Sequence, residues 1–166
     1  MDIKTTTQSQ RDYYMSLDLE KIKKELQTLP SYDEQISLQG VKDNLDPFWG
    51  IATWNEKHKM GMKETDFNIP LFDIPYINSI IKELKMYRTR VMNLKSKTCY
   101  TYHKDLSKRI HIPIQTNENC FIIIDKKIEH LPADGNYHVV DTTQYHTAIN
   151  ASWENRIHLV GIIEPI

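Results

Sequence analysis

Glycine is scarce in this 166-residue chain, at five positions, so neither a collagen-like repeat nor a glycine-rich linker can be built from it. Cysteine is scarcer still. Cys99 and Cys120 are the whole supply, too few for a disulfide framework, so free thiols in a reducing, cytoplasmic compartment are expected. An excess of one charge is missing as well. The 21 Lys and Arg against 22 Asp and Glu leave a formal net charge of −1, so no global basic field exists to recruit nucleic acid or an acidic membrane. No apolar run approaches the ~20 residues that span a bilayer. The opening MDIKTTTQSQ carries no apolar stretch of the signal-peptide kind. What remains is 40% hydrophobic and 26% charged, which excludes a mostly disordered chain. One domain over 1–166 is expected, at about one per ~150 residues, with 1–12 disordered.

Two helices are expected ahead of a β-rich half. Leu19, Ile22, Leu26 and Leu29 form one apolar stripe within 16–29, with Ser16 as N-cap and Pro30 as the stop. Ile77, Ile80, Ile81 and Leu84 form another within 75–87, where Pro75 fits a first turn. Between them 35–39 alternates like a strand, 48–54 is a weaker strand candidate, and 55–75 reads mostly as loop. From residue 90 onward, short strand-like runs recur at 91–94, 98–103, 110–116, 120–125, 137–141, 145–150 and 157–163. Turn signals separate them, as in an all-β sandwich or barrel, with the helices packed on one face.

The strand faces carry information. Ile110, Ile112 and Ile114 share one face, and Arg109, His111, Pro113 and Gln115 the other, because side chains alternate. Arg156 and His158 repeat the pattern opposite Ile157 and Leu159. Each polar face either meets water or lines the cavity of a barrel.

Six of the seven histidines, His103, His111, His130, His138, His146 and His158, lie in the β half; the seventh is His58. Taken singly, each is an ordinary surface or hydrogen-bonded histidine. His103-Lys104-Asp105, however, places an imidazole and a carboxylate on one side of a strand end, and His146 lies in a later strand. Two histidines and one carboxylate make the facial triad of non-haem Fe(II), which leaves positions open for a cosubstrate and O2. Arg156, on the strand after His146, offers the planar fork that the distal carboxylate of a metal-bound 2-oxoacid needs.

The stretch 90–163 resembles the aspartyl/asparaginyl β-hydroxylase-type oxygenases and the related bacterial free-proline hydroxylases. The resemblance rests on 90–94, His103-Lys104-Asp105, Arg109 to Ile114 with Thr116-Asn117, then Gly135, Asp141, His146, Asn150 and 156–160. It implies a mainly β fold, a double-stranded β-helix of the jelly-roll or cupin kind over 90–163, with flanking N-terminal helices and with 13–89 as support. It implies Fe(II) on His103, Asp105 and His146, and 2-oxoglutarate held by Arg156 at its distal carboxylate. Arg109 and His111 would lie beside the other carboxylate. The reaction implied is hydroxylation of an unactivated C–H bond of an amino acid or amino-acid side chain, using O2 and yielding succinate and CO2. Asp105 sides with the full triad, unlike the mammalian protein-modifying branch, which works with two histidines.

The alternative is a jelly-roll protein that binds a metal or small molecule without turnover. It would be expected to lose at least one of His103, Asp105, His146 and Arg156. Trp49, Trp54 and Trp153 are candidates for a substrate pocket, weighed against core packing. Tyr100 and Tyr102 are expected to pack, and His130 and His138 are not expected to bind metal. Gly161, inside a strand of Val and Ile, marks a bulge or a close approach.

Overall fold

The computed structural model describes residues 16–51 and 61–163. Residues 1–12, together with Trp54 and His58, lie outside the described residues. The first helix, α1, covers Leu19–Leu26. Its cap is Asp18, not Ser16: the Asp18 carboxylate accepts from the Lys21 N–H at 3.1 Å, satisfying an otherwise unpaired first-turn donor. The second helix, α2, covers Pro75–Glu83 with proline in its first turn. It ends earlier than its apolar stripe, because Lys85 takes a left-handed φ of 49° and the chain then enters a strand.

Among the described residues there are eleven strands, numbered in chain order, the first three of them ahead of α2. They are β1 (Gln35–Ser37), β2 (Gln39–Gly40), β3 (Ile69–Pro70), β4 (Met86–Leu94), β5 (Thr98–Cys99), β6 (Arg109–Gln115), β7 (Cys120–Ile124), β8 (Lys127–Glu129), β9 (His138–Val140), β10 (His146–Asn150) and β11 (Arg156–Ile163). The strand expected at 35–39 splits at Leu38, where its two halves join different sheets. The candidate at 48–54 forms turns over its described part. The run at 98–103 is a strand only at its start. The order β1-β4-β11-β6-β9 builds a five-stranded sheet and β5-β10-β7-β8 a four-stranded one, while β2 and β3 pair separately. All these pairings are antiparallel. Among the described residues no strand pairing joins the two larger sheets, so no closed barrel forms; the arrangement is compatible with a jelly roll.

The alternation along β6 and β11 decides where each face goes. Ile110, Ile112, Ile114 and Leu159 join Val91 in one core with Ile22 of α1 and Ile77, Ile80 and Ile81 of α2. The helices therefore cover one face of the five-stranded sheet, as expected. The opposite face carries Arg109, His111, Arg156 and His158, all buried, so these side chains do not meet bulk water. A second cluster takes Ile122, Ile124 and Ala148 from the four-stranded sheet and Leu94 and Val140 from the five-stranded one, with Leu131.

Gly161 proves to be both bulge and close approach. Val160 faces Arg90 while Ile162 faces Tyr87, so β4 carries one extra residue there. A Cβ on Gly161 would lie 2.9 Å from Thr89 Oγ1 and 3.1 Å from the Tyr87 carbonyl. Among the described residues no helix is long and apolar enough to cross a membrane.

Candidate active site

The backbones of His103 and His146 face each other across an isolated antiparallel bridge. Each N–H donates to the other's carbonyl, at 3.0 and 2.9 Å, which brings the imidazole centroids to 4.4 Å. Two residues on, the Asp105 N–H donates to the Thr142 carbonyl at 2.8 Å, turning its carboxylate toward both rings. His103 Nε2 lies 3.8 Å from Asp105 Oδ1, and His146 Nε2 lies 3.8 Å from Asp105 Oδ2. The three ligand atoms fall within 4.8 Å of one another.

The orientation of each ring is fixed from behind. His103 Nδ1 lies 2.6 Å from the Thr101 carbonyl and His146 Nδ1 lies 2.9 Å from the Gln144 carbonyl. A carbonyl only accepts, so each Nδ1 carries the hydrogen, which leaves Nε2, on the Asp105 side, as the ligand atom of each ring. Burial, outweighing the nearby Gln144 carbonyl and Asp105 charge, lowers the His146 pKa and so favours the neutral imidazole a metal requires. Burial alone would raise the Asp105 pKa, but the Arg109 charge and hydrogen bond, helped by the two histidines, bring it below the ordinary value. Two imidazoles and an ionised carboxylate are the donor set that suits Fe(II).

This cluster opens onto a cavity of about 770 Å³ between the two larger sheets. Arg156 lines it from β11, 4% exposed. Its Nε lies 3.1 Å from His158 Nε2, its Nη2 2.9 Å from His158 Nδ1, and no carboxylate among the described residues lies within ion-pair distance. Burial lowers its pKa to about 10. His111 also lines the cavity, with Nδ1 3.3 Å from His158 Nδ1. Burial, followed by the Arg156 charge, drives both imidazoles well below the ordinary histidine pKa.

Arg109 is engaged from two sides. Its Nε donates to Asp105 Oδ2 at 3.0 Å and its Nη2 to Glu64 Oε1 at 2.9 Å. Its Nη1 is buried without a hydrogen-bond partner among the described residues. Arg90, Arg88 and Tyr100 also line the cavity, without a binding role read from the sequence. Arg90 is 7% exposed, bonded among the described residues to the Ile51 carbonyl at 3.0 Å and Gln35 Oε1 at 3.4 Å, and burial lowers its pKa to about 9. Arg88 pairs with Glu64, and Tyr100, expected to pack, lines the wall. The alternation of Arg88, Arg90 and Met92 along one strand face was the available signal.

The remaining candidates lie elsewhere. Trp49 stacks on Phe67 with centroids 5.7 Å apart, and Trp153 is 85% exposed under Lys97, so neither lines the cavity. Tyr102 is exposed and stacked on Tyr145 rather than packed in a core. His130 Nδ1 contacts the Cys120 carbonyl at 2.8 Å, and His130 and His138 stand apart from the ligand cluster. Both cysteines are free.

The family model of aspartyl/asparaginyl β-hydroxylase matches residues 16–164. The chain belongs to that family. Hydroxylation is the chemistry for which this β-hydroxylase family is named, and the His103, Asp105 and His146 cluster is a site that could hold a metal ion. No curated protein matches the chain. Among solved structures, the chain is similar to the plu4264 protein of Photorhabdus luminescens, at 17% identity and a TM-score of 0.40 over 46% of this chain and 61% of that one. It is also similar to the conserved SPY1581 protein of unknown function from Streptococcus pyogenes, at 15% identity and a TM-score of 0.38 over 47% of this chain and 65% of that one. The match thus spans less than two thirds of the length of either structure.

Proposed function

We propose that this member of the family is an Fe(II)- and 2-oxoglutarate-dependent oxygenase built on a double-stranded β-helix core. It would hydroxylate an unactivated C–H bond of an amino acid, free or within a peptide, with succinate and CO2 as coproducts. One observation carries the reading. The His-Asp-His cluster opens onto the same cavity as Arg156, a buried guanidinium with no carboxylate partner among the described residues. A buried charge calls for a counterion, and a dicarboxylate cosubstrate supplies one at the distance of a second anchor from the metal.

His103, Asp105 and His146 would hold Fe(II), which would supply the oxidising chemistry that consumes 2-oxoglutarate and O2. The protein's own groups do the rest. Carbonyls of Thr101 and Gln144 hold the two ligand rings in the tautomer that exposes Nε2. Arg109 keeps Asp105 ionised at neutral pH. Arg156 binds the distal carboxylate through its planar fork. The buried Nη1 of Arg109, without a partner among the described residues, is a donor for the other carboxylate, and the neutral His111 ring lies beside it on the cavity wall. Met92, Ile122, Ala148 and Val160 furnish apolar wall, which limits water beside the reacting centre.

A turnover screen over free amino acids and peptides tests the proposal. Succinate formed together with a product one oxygen atom heavier supports it. Metal and 2-oxoglutarate binding without turnover on any substrate would instead favour a non-catalytic binding protein.

A further inference from the structure

We propose that Glu64 is a positioning residue for the metal ligand Asp105, acting through Arg109; the inference rests on the reading of His103, Asp105 and His146 as a metal site. Glu64 belongs to no strand of that site. It opens a single 3₁₀ turn, Glu64–Asp66, in the stretch between the two helices. Yet it is only 5% exposed. Its Oε1 accepts from Arg88 Nη1 at 2.7 Å and from Arg109 Nη2 at 2.9 Å. Arg109 in turn donates through Nε to Asp105 Oδ2 at 3.0 Å.

Two features make this more than a buried ion pair. The first is geometric. A guanidinium is planar and rigid, so bonds at Nε and Nη2 to two different carboxylates fix its plane. Asp105 is thereby held by a donor that cannot swing away. With Asp105 as its only anchor, the long Arg109 side chain would keep rotational freedom and the carboxylate would share it. The second is charge. Two carboxylates and two guanidiniums form a neutral cluster, so the dication meets no net positive charge from it. Removing the Glu64 charge leaves an excess cation one residue behind the metal ligand.

The backbone is bent to make the arrangement. Arg88 sits on the extra residue of the β4 bulge with a φ of 49°, a left-handed conformation that non-glycine residues seldom adopt. Bulges of this kind re-aim a side chain, and here Arg88 is aimed at Glu64. The Arg88 N–H also donates to the Phe67 carbonyl at 2.9 Å, tying the bulge to the turn that carries Glu64.

The test compares Glu64→Gln with Arg88→Met. Each breaks the Glu64–Arg88 ion pair, but only the first removes the charged anchor of Arg109. Co(II) affinity is measured by calorimetry on metal-free protein, with thermal melts on the same samples. Both variants should melt below the parent. Only Glu64→Gln should bind Co(II) more weakly, by about tenfold or more, the usual effect of removing an outer-shell partner. If Glu64→Gln does not fold, Glu64→Asp, which keeps the charge but withdraws it from Arg109, should also bind Co(II) more weakly than the parent, by the geometric part of the effect. Parent-like Co(II) affinity in the Glu64 variant, or an equal loss in Arg88→Met, overturns the proposal while leaving the metal site in place. A parent that binds no Co(II) overturns the metal-site reading and this proposal together.

Discussion

Replacing Arg156 with methionine keeps the length and apolar bulk of the side chain and removes its fork. Arg156 is 4% exposed, so the ~0–1 kcal/mol typical of a surface ion pair does not apply. Taking one partner from a buried pair costs ~3–5 kcal/mol, because the other charge is left uncompensated. At ~1.4 kcal/mol per decade, that is roughly two to three and a half orders of magnitude in 2-oxoglutarate affinity. Metal affinity should stay nearly constant, since Arg156 touches none of the three ligands. Arg156→Lys should fall between parent and Met variant, because an ammonium is a point charge without the bidentate geometry. Without cosubstrate the sign reverses. The parent then buries a cation with no carboxylate beside it, so Arg156→Met should melt higher, by ~2–4 °C for each kcal/mol relieved. The assay is calorimetric titration of Co(II)-loaded protein with 2-oxoglutarate, beside melts of the metal-free proteins. An unchanged cosubstrate affinity in Arg156→Met would refute the assignment of this arginine.

Other outcomes follow from the same contacts. His146→Ala should abolish binding of Co(II) or Mn(II) at stoichiometric concentrations, and a parent-like calorimetric isotherm would contradict the ligand assignment. Melting temperature should fall as pH drops from 7 to 5. The lowered pKa values keep His111 and His158 neutral in the folded state, so below ~6.5 the unfolded chain binds more protons and stability drains away. A flat melting profile over that range would show that these rings are not buried neutral. Gly161→Ala should lose ~1–3 kcal/mol in urea unfolding, the range for overpacking, because its Cβ would meet Thr89 Oγ1 at 2.9 Å and Met86 Cε at 3.0 Å; parent-like stability would place the bulge elsewhere.

The convergence of His103, Asp105 and His146 was legible because it depends on local spacing and on one cross-strand bridge. The two faces of β6 and β11 were equally legible from alternation, although sequence alone left open whether the polar face met water. The course of the chain from 84 to 90 was not. Leu84 continues the α2 stripe, so nothing in the side-chain pattern announces the reversal at Lys85. Glu64 escaped for a related reason. It stands in a stretch without a period, and its value comes from Arg88 and Arg109, which only the folded chain brings to it. β8 was missed because all three of its residues are exposed, leaving no buried face to set a pattern.

The central claim is turnover, and succinate formation tests it most directly. Fe(II)-loaded protein is incubated with 2-oxoglutarate in air, with a mixture of amino acids and peptides, and succinate is quantified beside an identically treated His146→Ala variant. The account predicts succinate from the parent and only the background of free iron from the variant. Equal succinate from both, or none from a parent shown to hold one metal ion, would contradict it.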